Sequence, residues 1–157
     1  MAPSLLFDIS ALDLSRRIYS PKQIEAVNPQ RGDMRQLDGI IHVDAEKGEG
    51  MGVKDVADDE FWVPGHIPGR PLLPGVLMIE AAAQLCAFLM KLRRPEVGFV
   101  GFLGADAVKF RGQVVPCDTL YILGKEFEFR PRRFICDTQA VVNGAIVFEG
   151  RITGMPI

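Results

Sequence analysis

"VPGHIPGRPLLPGVLMIEAAAQLCAFLM", residues 63–90, sets two kinds of backbone side by side. Its first half crowds Pro64, Gly65, Pro68 and Gly69 around His66 and goes on to Pro71, Pro74 and Gly75, a composition that interrupts helix and strand alike. Its second half, from Pro74 to Met90, is 17 residues broken only by Glu80 and Gln84. That is short of the about 20 residues of a membrane span, and it carries an ionisable group. The run predicts a buried helix, with Pro74 in its first turn. A helix apolar nearly all round has to be covered on most sides.

The flanking sequence supplies the cover. "DGIIHVDAEKGEGMGVKDVADD" (38–59) reads as two strands joined by the turn "EKGEG". After the helix, "GFVGFLGADAVKF", "TLYILGKEFEF", "FICDTQAVV" and "AIVFEGRITG" are short, rich in β-branched and aromatic residues, and bounded by turns. Asn143-Gly144 between the last two is a hairpin signal, because both residues tolerate the positive φ of a type I′ turn. Helical patches are expected before Asn28, including "PKQIEAVN" behind Ser20. One apolar helix among about six hairpin-connected strands predicts an α+β fold, a curved antiparallel sheet wrapped around a long central helix.

The 157 residues are read as one domain, long enough to bury a core. With 18 basic against 20 acidic residues and a net charge of −2, no nucleic-acid surface is indicated. Cys86, Cys117 and Cys136 are odd in number and widely spaced, and are expected reduced and buried in a cytoplasmic protein. The start, "MAPSLLFDISALDLSRR", lacks the basic head and apolar run of a signal peptide.

A glutamate in an apolar helix has two readings, a structural residue paired with a buried group or a catalyst, and a lone loop histidine is often structural. Their surroundings favour chemistry. Gly75, near the helix start, offers a backbone N–H without an intrahelical partner to an oxygen gaining negative charge. Gln84 lies one turn after Glu80, within hydrogen-bonding reach of its carboxyl group. Apolar neighbours make that carboxyl group costly to ionise, which suits a general acid. His66 is the natural base. His42, in "DGIIHVD", is read as a plain strand residue.

At these residues the chain resembles the FabZ-type 3-hydroxyacyl-acyl-carrier-protein dehydratases. The resemblance is carried by "GHIPGRPLLPGVLMIEAAAQ" and "FLGADAVKFRGQVVPCDTL", with a histidine-to-glutamate spacing of 14, and covers about residues 58–153. It implies the hot-dog fold and dehydration of (3R)-hydroxyacyl thioesters to trans-2-enoyl thioesters in fatty acid biosynthesis, with no cofactor and no metal. It places the catalytic histidine on His66, the carboxylate on Glu80 and the carbonyl-polarising N–H on Gly75. It also implies acyl carrier protein as partner, and a homodimer or trimer of dimers whose histidine and carboxylate meet across subunits. The related FabA type, which also isomerises the double bond, carries aspartate where Glu80 stands.

The chain departs from the family's pattern in residues 1–35 and just beyond. "NPQRGDMRQLD" (28–38) has Gln30 for histidine and Gly32-Asp33 for an aromatic-proline pair, and Cys117 stands for a glycine. A basic group in "KEFEFRPRR", with Arg130, Arg132 and Arg133, is a candidate carrier-docking patch. The alternatives are a hot-dog thioesterase, which has no use for a loop histidine facing the carboxylate, and a non-catalytic acyl-binding relative.

Overall fold

The side chains of Leu85 and Leu89 rest on glycine. In the computed structural model, which describes residues 3–157, a Cβ at Gly50 would stand 2.6 Å from Leu89 Cδ1 and one at Gly124 would stand 3.3 Å from Leu85 Cδ2. Gly50 and Gly124 are direct cross-strand partners. This bare patch lets the helix α2 (Gly75–Arg93) settle close on the sheet, burying Met78, Ala81, Ala82, Leu85, Cys86 and Phe88. Burial of such side chains contributes about 1.5–3 kcal/mol each for the larger ones.

The sheet is one antiparallel layer of six strands: β1 (Gly39–Asp44), β2 (Glu49–Asp55), β3 (Val100–Phe110), β4 (Thr119–Arg130), β5 (Arg133–Val142) and β6 (Ala145–Pro156). Their order is β1-β2-β4-β5-β6-β3, which leaves β1 and β3 as edges. The long helix against a six-stranded antiparallel sheet is the expected α+β layout. Asn143 (φ 49°) and Gly144 (φ 80°) form the two-residue turn between β5 and β6.

Two expectations change. The N-terminal part holds one short helix, α1 (Pro21–Glu25), closed by Ser20 and Gln23 in a reciprocal capping box. The preceding segment is irregular and instead packs Phe7 against Ile41, Met51, Val53, Leu123 and Val141, tied by Leu6 N–H to Gln139 Oε1 at 2.9 Å. Pro74 is the N-cap of α2, so Gly75 is its first helical residue. The sheet and segment 28–36 cover α2 on most sides, as expected, and leave it open along one stripe: Val76 is 68% exposed and Glu80, Ala83 and Ala87, spaced along that stripe, are half-buried. Among the described residues α2 alone is long and apolar enough to cross a membrane. Its packing is that of a core helix.

Cys86 and Cys136 are buried, but Cys117 is exposed. Its φ of 75° lies in the left-handed region, which explains why glycine suits that turn in the resembling family.

Gly50→Ala places a methyl group inside the volume of Leu89. Overpacking of this kind costs about 1–3 kcal/mol, and the melting midpoint is expected to fall by several degrees in a thermal scan, with Gly98→Ala, where an added Cβ meets nothing within 4 Å, a milder control.

Candidate active site

Residues 56–74 join β2 to α2 without helix or strand, and a structureless connection of this length is ordinarily functional. It is tied down at both ends. At its start, Val56 N–H donates to Asp118 O at 3.0 Å and Val56 O accepts from Cys117 N–H at 2.7 Å. At its end, Leu73 N–H donates to Val114 O at 2.8 Å. Between them the buried Trp62 joins the core cluster, and its carbonyl accepts from both Gly65 N–H and His66 N–H, at 3.2 and 2.8 Å.

The His66 ring is fixed as well as its backbone. Its Nδ1 lies 2.6 Å from Leu72 O. A carbonyl oxygen can only accept, so Nδ1 carries a proton, and in the neutral ring the lone pair is on Nε2. The next residue, Ile67, has φ 59°. A β-branched side chain there is strained, and such strain persists where the surrounding structure over-determines the backbone.

A buried ion pair sets the base of this loop. Lys54 on β2 is 4% exposed, and its Nζ lies 2.7 Å from Glu60 Oε1. Glu60 Oε2 accepts from Ala57 N–H at 2.9 Å, and Glu60 O accepts from Val63 N–H at 3.0 Å. Sequence reading missed this pair. The one available signal was a lysine in a strand whose other residues before Asp55 all face inward.

Glu80 lies on the open stripe of α2. Its Oε1 accepts from Gln84 Nε2 at 2.8 Å, as the one-turn spacing predicts. Gln84 itself is buried and fully engaged. Nε2 also donates to Met34 O at 2.7 Å, Oε1 accepts from Gln36 N–H at 2.9 Å, and the Gln84 backbone carbonyl accepts from Asn28 Nδ2 at 2.9 Å. The divergent segment 28–36 therefore wraps the helix through Gln84. With Oε1 held by the amide, Glu80 Oε2 is the oxygen free to carry a proton. A cavity of about 50 Å³ opens beside it, with Gln30, Ala83, Ala87, Phe102 and Phe134 in its walls.

Gly75 begins α2, with no side chain capping that end. A Cβ there would stand 2.7 Å from Phe110 Cε1, so the Phe110 ring of β3 lies against the helix start and would have to shift for any side chain at this position. Each of the two titratable groups is engaged by its own neighbour, His66 by Leu72 O and Glu80 by Gln84.

The basic group at the β4–β5 hairpin is partly neutralised. Arg130 and Arg133 both pair with Glu128, at 2.5 and 3.1 Å, while Arg132 has no carboxylate partner among the described residues. The hairpin sits by the C-terminal end of α2, where Arg94 Nη1 donates to Pro131 O at 3.2 Å. That is the far end of the helix from Gly75.

Glu60→Gln strands the Lys54 ammonium in the interior. Removing one partner of a buried pair costs about 3–5 kcal/mol, whereas replacing both by neutral residues of similar size is often close to neutral. Denaturant unfolding is expected to show a large loss for Glu60→Gln and recovery of most of it in Lys54→Met/Glu60→Gln.

With this geometry in hand, comparison with known proteins is informative. Residues 28–151 match the family model described as a FabA-like domain. The chain is 34% identical over 130 residues to the 3-hydroxyacyl-acyl-carrier-protein dehydratase FabZ of Protochlamydia amoebophila, covering 83% of this chain and 84% of that one. It is 39% identical over 132 residues to the FabZ of Herpetosiphon aurantiacus, covering 82% and 92%. Among solved structures, the dehydratase heterocomplex ApeI:P from Xenorhabdus doucetiae superposes with a TM-score of 0.73 at 18% identity, over 85% of this chain and 90% of the other, which supports the fold. A hypothetical thioesterase protein with coenzyme A from Streptococcus pneumoniae reaches 0.58 at 13% identity, over 75% and 84%, again a likeness of fold. From the motif around His66 and Glu80, the six-stranded sheet over one helix and these relatives together, the chain belongs to the FabA-like family, in its FabZ-type branch.

Proposed function

We propose that this protein is a 3-hydroxyacyl-acyl-carrier-protein dehydratase of fatty acid biosynthesis, with His66 as base and Glu80 as acid. The observation that carries the assignment of roles is the 2.6 Å contact of His66 Nδ1 with Leu72 O, which in the neutral ring makes Nε2 the acceptor and fixes its direction. Nε2 removes a proton from the carbon next to the thioester carbonyl. The electron pair left behind forms the new double bond as the bond from the third carbon to its hydroxyl breaks. Glu80 Oε2 protonates the departing hydroxyl, which leaves as water. While charge builds on the thioester oxygen, the Gly75 N–H and the positive end of α2 stabilise it. Proton transfer by placed groups of this kind contributes about 10²–10⁴-fold.

The acid and the base come from two subunits in this reading. Its support is that His66 and Glu80 are each engaged by other neighbours within one chain, and that the Glu80 stripe lies open beside an edge strand, β3, with Phe102, Leu103 and Phe110 each about half exposed. An apolar edge strand is a template for pairing. A second copy of this chain is its partner, in a dimer or a trimer of dimers.

The substrate is presented by acyl carrier protein. For docking, Arg132 is the leading residue of the hairpin group, since its two neighbours share Glu128.

Incubation with 3-hydroxybutyryl thioester is expected to yield enoyl absorbance without release of free thiol; thiol release instead would point to the thioesterase reading. His66→Ala and Glu80→Gln should each lower kcat by at least about a hundredfold while melting near the parent temperature. Mixing His66→Ala with Glu80→Ala under subunit exchange should restore part of the activity, because one site in the mixed dimer has both groups; no recovery with exchange verified would place the pair within one chain. Arg132→Glu should raise KM for carrier-protein substrates and leave a pantetheine thioester unaffected.

A further inference from the structure

A second cavity lies one ring away from the Glu80 cavity. It measures about 110 Å³ and sits between the C-terminal half of α2 and the sheet, with Cys86, Leu89, Met90, Phe129, Phe134 and Cys136 in its wall. Its room comes from small residues: Cys86 on the helix and Cys136 on β5 face it where larger side chains would close it, and the β1–β2 turn contributes Ala45 and Gly48. The Cys86 thiol is held well above its ordinary pKa by its hydrogen bond to Cys136 and by burial, so these thiols act here as small apolar groups and not as nucleophiles.

Phe134 is the one residue that the two cavities share. It is 2% exposed and lies across Gly154, its β6 partner, so closely that a Cβ on Gly154 would stand 2.6 Å from Phe134 Cε1. Gly154 is in the wall of the Glu80 cavity, and Cys136, two residues along β5, is in the wall of the apolar one. The ring is thus a partition. On the helix the change of face is abrupt, with Ala87 on the Glu80 side and Cys86 on the other.

The geometry points to Phe134 as the residue that sets acyl chain length, closing the Glu80 cavity against a second pocket that accepts the alkyl tail of longer acyl chains when the ring turns aside. This rests on the dehydratase reading, in which the hydroxyl-bearing carbon lies at Glu80 and the remaining carbons extend along Ala83 and Ala87. Those alanines form a shallow trough leading to Phe134, with Ala83 one turn before Ala87 on the same stripe. The cavity beyond is mostly apolar and so matches an alkyl tail, although Asp44, Glu49, Arg93 and Glu126 also contribute to its wall.

The test compares 3-hydroxybutyryl and 3-hydroxydodecanoyl thioesters in the whole protein. Phe134→Leu keeps an apolar core residue but shortens the partition, and is expected to raise the ratio of kcat/KM for the long chain over the short one by about tenfold, the equivalent of burying roughly two more methylene groups. Phe134→Ala should raise it further where it folds. Adding Cys136→Met to Phe134→Leu fills the second cavity and should return the ratio towards the parent value. A folded Phe134→Leu protein with an unchanged ratio, or a gain that survives Cys136→Met, overturns the proposal while activity on the short thioester leaves the dehydratase reading intact. Absence of dehydration at both lengths in the parent protein removes that reading, and the tail pocket with it.

Discussion

The close seat of α2 on the glycine patch of β2 and β4 is the constraint from which the rest follows. Leu85 and Leu89 can descend onto the sheet only because Gly50 and Gly124 present no side chains beneath them. With that face committed, helical spacing turns Val76, Glu80, Ala83 and Ala87 away from the glycine patch, and the last three line the cavity that β3 and β6 help to enclose. The carboxylate is therefore on the open side of the helix because the leucines are on the closed one. A helix with alternating bulk against an ordinary sheet surface would sit further out, and β3 could not bring Phe110 against the helix start at Gly75.

Two polar devices then hold the reacting groups. Gln84 is buried with its amide oxygen and nitrogen both engaged, so its orientation cannot reverse without stranding Gln36 N–H and Met34 O. It positions Glu80 and anchors the divergent segment 28–36 with the same side chain. His66 is positioned from the other side, by Trp62 O and Leu72 O above a loop whose base is clamped by Lys54 and Glu60. Each side chain is engaged by its own neighbours, and the apolar side chains of edge strand β3 lie exposed beside the Glu80 stripe.

The family's motif was legible because it is local. His66, the Pro/Gly loop, Gly75, Glu80 and Gln84 fall within 19 residues, and the last three obey helical spacing. The helix and all six strands were legible for the same reason, since each shows its own period or turn chemistry, down to the Asn143-Gly144 turn. What the sequence by itself determined was which residues can do chemistry and which elements carry them.

The tertiary structure decided what those residues touch. Leu72 O selects the histidine tautomer, Lys54 reaches Glu60 across a strand end, and Phe134 separates two cavities lined from opposite ends of the chain. That α2 would be covered on most sides was legible from its composition, but which stripe stays open was not, because that depends on where the sheet and segment 28–36 close on it. The irregular N-terminal segment, laid over the outer face of the sheet by Phe7, followed no local period at all. Contacts between distant positions depend on how the whole chain closes, and no window of sequence contains that information.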